Sequence, residues 1–424
     1  MKSNLALFGG PKTIQYEFKK YNTIGKEEIN AVTKVMKSGV LSNYVGSWGK
    51  DFYGGENVKK LEEFIKIKFD VEFALAVNSW TSGLVCAIGA LDIEPGDEII
   101  LSPFTMSACA ASILHWNAIP VFVDIESDTF NINVNLIEQK ITSKTKAILA
   151  IDIFGHPCDI LNIKKIAKKH NLKVITDSAQ SPWSFIEDKI TSTTVDIGGF
   201  SLNYHKHIHT GEGGIIVTNN ENYYHRMTLI RNHAEAVVEK MKRADLNNMI
   251  GFNFRMGEIE AAIAIEQFKK LEYLVKKKQK TCLNLIEKIG HLDGLITPMT
   301  KERFSHSYYC FALKIDPKII KVSRSKIVEA LKAEGVQGIS EGYANLHLLP
   351  IFQKKIGYGN GNFPWDLTEN GKLISYDKGI CPVAEKLHDE TLILFQVCLY
   401  ELDYNDVSFI ANAFIKVWNN LEVL

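Results

Sequence analysis

The sequence predicts an α/β protein: a large domain built on a mixed, mostly parallel sheet flanked by helices, followed by a smaller C-terminal α+β domain. Three observations carry that expectation. Short apolar runs recur between residues 73 and 176 without polar alternation, the mark of strands buried on both faces. Helix-like segments separate these runs, and alternating strand and helix favours a parallel sheet with right-handed crossovers. After Phe254 the texture changes, and apolar residues recur at helical spacing as far as Ile289.

In chain order, the strand runs are Phe73–Val77, Glu98–Leu101, Pro120–Ile125, Lys146–Ile151 and Lys173–Thr176. The helical segments between them are Thr81–Leu91, Met106–Trp116, Asn133–Lys140 and Asp159–His170. Sheets of this kind bind ligands outside the carboxyl ends of their strands. That predicts a common rim for Asn78, Asp124, Asp152 and Asp177. Val195–Ser201 reads as a strand entering a loop, and Ile215–Thr218 as the strand that follows it. Met256, Ile259, Ala262, Ile263, Leu271 and Leu274 then predict a long helix, kinked or broken near Lys276–Lys278. Such a helix is a natural bridge from a large domain at residues 1–275 to a small one at 276–424. In the second, Tyr309–Ile315 reads as a strand, and Ser325–Glu334 and Asp406–Asn419 as helices. Gly357–Pro364 reads as a turn-rich surface loop.

A chain of 424 residues, 46% hydrophobic and 23% charged, has the balance of a soluble globular protein and can bury a core without metal or disulfide staples. Lys plus Arg equals Asp plus Glu at 49 each. Nucleic-acid and anionic-membrane partners both need concentrated positive charge, so neither is expected. A local basic pocket for an anionic ligand remains compatible. The seven cysteines are scattered and form no C-x-x-C pair, which supports neither a zinc ribbon nor a dithiol site. The apolar stretch within Met1–Gly10 is short for a secretory signal, and no run approaches the roughly 20 residues of a membrane span. A cytoplasmic, reduced setting is expected.

Four segments could carry chemistry. Asp177, in Val174–Gln180, ends a buried strand, where an acid is costly without a positive partner. A pyridinium nitrogen would be one; a plain cap on the following turn is the common alternative. Lys206 lies between Ser201 and Thr210-Gly-Glu-Gly-Gly214. A lysine held there could form a Schiff base and shuttle a proton, with the Ser201 hydroxyl on a phosphate and glycines allowing close backbone approach. The alternative is a surface hairpin with a solvated lysine. His205, His207 and His209 alternate, so a strand would turn all three to one face as metal ligands, but no nearby carboxylate or cysteine completes a set. Val77–Gly83 is a strand-to-helix junction whose first helical amides could hold an anion, helped by Thr81 and Ser82, or could simply be capped. In Gly251–Glu258, Asn253 and Arg255 could reach an anionic group, or Asn253 could cap the long helix.

In this order and spacing the four segments resemble the DegT/StrS family of sugar aminotransferases, which have the type I fold of pyridoxal 5'-phosphate (PLP) enzymes. The matching residues are Ser79 and Thr81, Asp177 and Gln180, Ser201 with Lys206 and Thr210–Gly214, and Gly251, Asn253, Arg255 and Met256. Leu7–Pro11 and Phe52–Glu56 are also family-like; beyond about residue 275 the likeness rests on Ser307-Tyr-Tyr309 and Leu346–Pro350. The resemblance implies that Lys206 bonds the cofactor covalently and that Asp177 pairs with its ring nitrogen. Gln180 would lie near the phenolic oxygen, and Ser201 with the turn at Trp80 and Thr81 would hold the phosphate. Asn253 would reach the cofactor phosphate of a neighbouring subunit, so a homodimer with shared sites is expected. The implied reaction is ping-pong transfer of an amino group from glutamate or glutamine to a keto or aldehyde sugar. Three departures stand out. Relatives often have glycine where Trp80 stands. They often place an aromatic over the ring where this chain has Met106, with Phe104 close by as an alternative. Histidines flank Lys206 on both sides. A sub-group of dehydratases carries histidine in place of the lysine, but the register from Ser201 and from Thr210 puts Lys206 at that position. A non-catalytic PLP-binding regulator is the other alternative.

Overall fold

The computed structural model describes residues 4–242 and 244–424. The first half of the chain supplies strands β1 (Phe73–Val77), β2 (Glu98–Leu101), β3 (Ile119–Phe122), β4 (Thr145–Ile151), β5 (Lys173–Asp177), a small hairpin of β6 (Phe185–Ile186) and β7 (Lys189–Ile190), then β8 (Ile197–Ser201) and β9 (Gly214–Thr218). Apart from the hairpin they form a seven-stranded sheet in the order β1-β9-β8-β5-β4-β2-β3. Pairing is parallel from β8 to β3, and β9 runs antiparallel to both of its neighbours. The sheet is therefore mixed, as expected, with its one reversed strand next to β8.

Both faces of this sheet are dry because successive side chains point to opposite sides. Leu75 and Val77 of β1, with Ile99 and Leu101 of β2, join a core with α3 (Trp80–Gly89) and α4 (Ala108–His115). Their neighbours Ala74 and Ala76 face the other way, toward α2 (Glu56–Phe69), and Ile100 faces α6 (Ile160–Lys169). Helix starts follow the polar residues: Ser79 accepts from the Ser82 amide, Asp159 from Asn162, and Asn220 from Tyr223 at the head of α7 (Glu221–Arg231). Each satisfies an amide that the helix itself cannot. The expected helix at residues 133–140 is a short α5 (Val134–Ile137) followed by a 3-10 turn. In the N-terminal stretch, α1 (Lys26–Ser38) lies against the long α8 (Glu258–Ile289).

The expected break near Lys276–Lys278 does not occur: α8 is one helix of 32 residues. Lysine is a good helix former, and the three residues are absorbed by separate partners. Lys276 pairs with Glu272, Lys277 with Glu401, and Lys278 is buried with its amine on backbone carbonyls.

The C-terminal part holds a second, antiparallel sheet of β10 (Leu295–Ile296), β11 (Phe311–Ile315), β12 (Ile339–Glu341) and β13 (Leu392–Phe395), in the order β10-β11-β13-β12. It is covered by α9 (Arg324–Ala333), and between β12 and β13 the chain makes short helices α10 (Pro350–Gln353), α11 (Glu369–Leu373) and α12 (Pro382–Lys386). The last helix, α13 (Tyr404–Trp418), packs beside α8. Two details bear on the expected division at 275/276, which falls inside α8. Leu5, Ile14 and Phe18 of the N-terminal segment pack in the second core. Phe352, Trp365 and Tyr376 of the β12–β13 connection pack in the first.

Candidate active site

Sheet register brings the chemistry together. Gly214 stands opposite Val77 on one side and Ser201 on the other, so the turn after β1 and the loop after β8 lie side by side. A Cβ at Gly214 would come within 2.6 Å of the Trp80 amide nitrogen, so only glycine lets β9 approach that turn. Asp177 ends β5 opposite Ile151 and Gly199. The result is one cleft at the carboxyl edge of the sheet, lined by Lys206, Asp177, Gln180, Ser201, Trp80, Thr81 and Met106. Of the eight residues that the resemblance sets around the cofactor, these seven meet there.

Asn253 is the eighth. It is exposed, its Oδ1 accepts from Arg255 Nε at 2.7 Å, and its carbonyl accepts from Asn78 Nδ2 at 3.3 Å. It stands outside the cleft, tied to the residue that precedes the Ser79 turn. The expected rim of acids separates. Asp152 is buried and accepts from Ser178, Thr191 and the Cys158 amide; burial pushes its carboxyl up to about 6. Asp124 accepts from the Val383 and Ala384 amides at the head of α12. These two acids hold structure, because their acceptor positions are filled by protein donors.

Asp177 Oδ1 accepts from Trp80 Nε1 at 2.7 Å and the Ala179 amide at 3.0 Å, while Oδ2 accepts from Cys109 Sγ at 3.1 Å. Lys206 is buried; its Nζ lies 4.3 Å from the centre of the Tyr309 ring and makes no hydrogen bond among the described residues. Burial pulls this amine below the usual lysine range, and Asp177 opposes the shift. Gln180 Oε1 accepts from the Phe154 amide at 2.7 Å, which fixes the amide group and leaves its Nε2 within 3.5 Å of the Tyr343 hydroxyl. Met106 is 57% exposed and lines the cleft, whereas Phe104 is fully buried against Phe154 and Tyr343. Of the two residues weighed for the ring's face, Met106 is the one the cleft meets.

The alternating histidines do not share a face, because residues 202–213 form a loop and not a strand. His207 is fully buried with Nε2 2.9 Å from the Ser307 carbonyl oxygen, and burial pushes it down to about 3. His205 lines the cleft and is pushed down to about 4 by burial and by Lys206. Tyr309, Tyr343 and Cys109 were not assigned a role from sequence. Tyr309 lies in the Ser307-Tyr-Tyr309 motif, but nothing local marks Tyr343 or Cys109; they arrive through tertiary packing.

The donors and acceptors fit PLP. A buried amine with a π face and no acceptor calls for a partner. A carboxylate at the far end keeps room on Oδ2, and the first amides of α3, with the Ser201 and Thr81 hydroxyls, form a cup for a phosphate. Fold and cleft together define a class of protein, the PLP-dependent aminotransferases of fold type I.

Comparisons with known proteins narrow the class. The DegT/DnrJ/EryC1/StrS aminotransferase family matches residues 22–392, and the chain belongs to this family of PLP-dependent sugar aminotransferases. It is 31% identical to the spore coat polysaccharide biosynthesis protein SpsC of Bacillus subtilis over 80% of this chain and 86% of that protein. It is 37% identical to the GDP-perosamine synthase of Escherichia coli O157:H7 over 53% of this chain and 61% of that one. Among solved structures, an aminotransferase from Psychrobacter cryohalolentis superposes with a TM-score of 0.81 at 25% identity, covering 96% of this chain and all (100%) of that one.

Proposed function

We propose that this aminotransferase moves an amino group from glutamate or glutamine to a keto or aldehyde sugar, for a surface polysaccharide or a secondary metabolite. The observation that carries the proposal is the buried Lys206 amine facing the same cleft as Asp177 and the α3 amides. The relatives named for a spore coat polysaccharide and for GDP-perosamine support a carbohydrate acceptor. A nucleotide-linked ketosugar, an oxidised sugar acid and a ketocyclitol all meet that description.

When bound, PLP supplies an electron sink for charge that develops at the donor's α-carbon. The work of the chain's own residues follows from their surroundings. Lys206 would hold the cofactor covalently, and its freed amine would move a proton at the donor's α-carbon. Burial favours the neutral amine which that transfer needs. Asp177 accepts the ring nitrogen's proton in a hydrogen bond. The Ser201 and Thr81 hydroxyls and the amides of Trp80 and Thr81 orient the phosphate. Gln180 would offer its Nε2 to the phenolic oxygen, and Met106 would pack a thioether on the ring. Asn253, outside its own cleft, serves the phosphate site of a second copy in a homodimer. A reducing, cytoplasmic compartment suits the seven free cysteines.

The test is an acceptor screen. Protein loaded with pyridoxamine 5'-phosphate is mixed with oxidised sugars of the three kinds and the products are read by mass spectrometry. An amino sugar formed together with PLP absorbance is the expected result. A deoxygenated product without nitrogen transfer would instead establish the dehydratase alternative.

A further inference from the structure

Trp80 is the first residue of α3, where the main chain faces the phosphate end of the cleft, yet its side chain runs to the opposite end. The residue is 4% exposed, and its Nε1–H donates to Asp177 Oδ1 at 2.7 Å. Two glycines on different elements make room for the indole. A Cβ at Gly199 of β8 would come within 1.9 Å of the Trp80 ring, and one at Gly83 of α3 within 2.6 Å. Contacts that close along the benzo edge, with the hydrogen bond to Asp177 at the other edge, hold the ring in one orientation. The cleft is built around this tryptophan.

The consequence falls on Asp177. A carboxylate offers about four acceptor positions. Trp80 and Ala179 take the two on Oδ1, and Cys109 takes one on Oδ2. One position on Oδ2 remains, and its direction is set because the group cannot turn about its terminal torsion, which is otherwise broad and soft. We propose that Trp80 is a positioning residue that fixes the span between the phosphate site and the ring-nitrogen site of the cofactor: its main chain belongs to the first, and its indole N–H locks the carboxylate of the second. This rests on the PLP reading of the cleft. PLP joins its phosphate arm and its ring nitrogen through one planar ring, so a single residue that ties both sites acts as a ruler for it. A glycine at this position would leave the main-chain donor and lose the lock.

The experiment is a double-mutant cycle on the PLP dissociation constant, read by titrating apo-protein with PLP and following the visible absorbance. Trp80→Phe keeps a ring and removes the N–H. It is expected to weaken PLP about tenfold, as for one hydrogen bond to a charged group. In an Asp177→Ala background, where there is no carboxylate to lock, the same change is expected to cost less than twofold. Equal loss in both backgrounds would make Trp80 a space-filler and overturn the proposal, as would no loss in either. Should Trp80→Phe fail to fold by circular dichroism, Gly83→Ala provides the second test, because its added Cβ would press on the Trp80 ring at 2.6 Å and on no strand backbone. It retains the indole but displaces it, and is expected to give the same loss with the same dependence on Asp177. Wild type that takes up no PLP would overturn the cofactor reading itself; a normal wild type with an unaffected variant would overturn the ruler alone.

Discussion

At position 206, burial and charge act on the amine in opposite directions, and burial wins. A lysine pulled below its ordinary value of about 10.4 carries more neutral amine near neutral pH than a surface lysine does. The rate of Schiff-base formation with added PLP is therefore expected to rise with pH through a midpoint below that of a free lysine. Stopped-flow absorbance from pH 6 to 10 measures it, and a midpoint at the ordinary value would contradict the burial argument. Lys206→Ala is expected to lower turnover by roughly 10³ or more and to abolish borohydride trapping of PLP on the chain. Retention of both would reassign the lysine. This residue was legible in the sequence because two fixed registers, from Ser201 and from Thr210–Gly214, converge on it. The direction of the Trp80 side chain was not, because it depends on Gly83 and Gly199, which lie on separate elements. Tyr343 was equally hidden: its contact with Gln180 spans 163 residues.

Among the elements, α8 is where local and tertiary forces were hardest to separate in advance. Three consecutive lysines suggested a break, yet each turns to a different side of the helix, at about 100° per residue. The strand and helix runs of the first half were legible because burial on both sheet faces leaves an unbroken apolar signature. The environment of Lys278 leaves none, since its partners are main-chain carbonyls more than 100 residues away. Its Nζ donates to the carbonyls of Val397 and Tyr400 and lies 4.4 Å from the centre of the Tyr21 ring. Tyr21 in turn donates to the carbonyl of His207, beside Lys206. Lys278→Met would remove the amine from both carbonyls and leave that of Tyr400 without its donor, so a loss of about 1–3 kcal/mol is expected in urea unfolding. Lys276→Ala, which breaks only an exposed pair with Glu272, is expected to cost less than about 0.5 kcal/mol. Comparable losses from both would mean that Lys278 is no staple.

Over the whole molecule, burial holds several imidazoles below their ordinary range, and this bears on the acid side of the stability curve. His207 is pushed down to about 3 and His156 to about 4 by burial, and His306, stacked on Tyr308 and beside His156, falls well below its usual value. A base whose folded pKa is depressed stabilises the fold above its unfolded value and loses that contribution as pH falls, because the unfolded chain then binds more protons. At pH 5, against an unfolded value of about 6.5, His207 and His156 each forfeit about 2 kcal/mol. Asp152 acts with the opposite sign. Its carboxyl is raised to about 6, so protonation between pH 7 and 5 favours the folded state, by about 1 kcal/mol. Asp152 offsets only part of what His207 and His156 lose, so a net loss of stability toward pH 5 is expected. Glu28 and Glu334, held below the ordinary carboxylate range by hydrogen bonds and by Lys270 and Lys416, stay ionised in this window and do not blur it. Urea unfolding at pH 7 and pH 5 should therefore give a clearly lower midpoint at pH 5. His207→Gln should shrink the difference by about 2 kcal/mol, because glutamine carries no proton to gain. Midpoints that rose toward pH 5, or a His207→Gln variant with the same slope as wild type, would mean that these rings are not neutral in the folded protein.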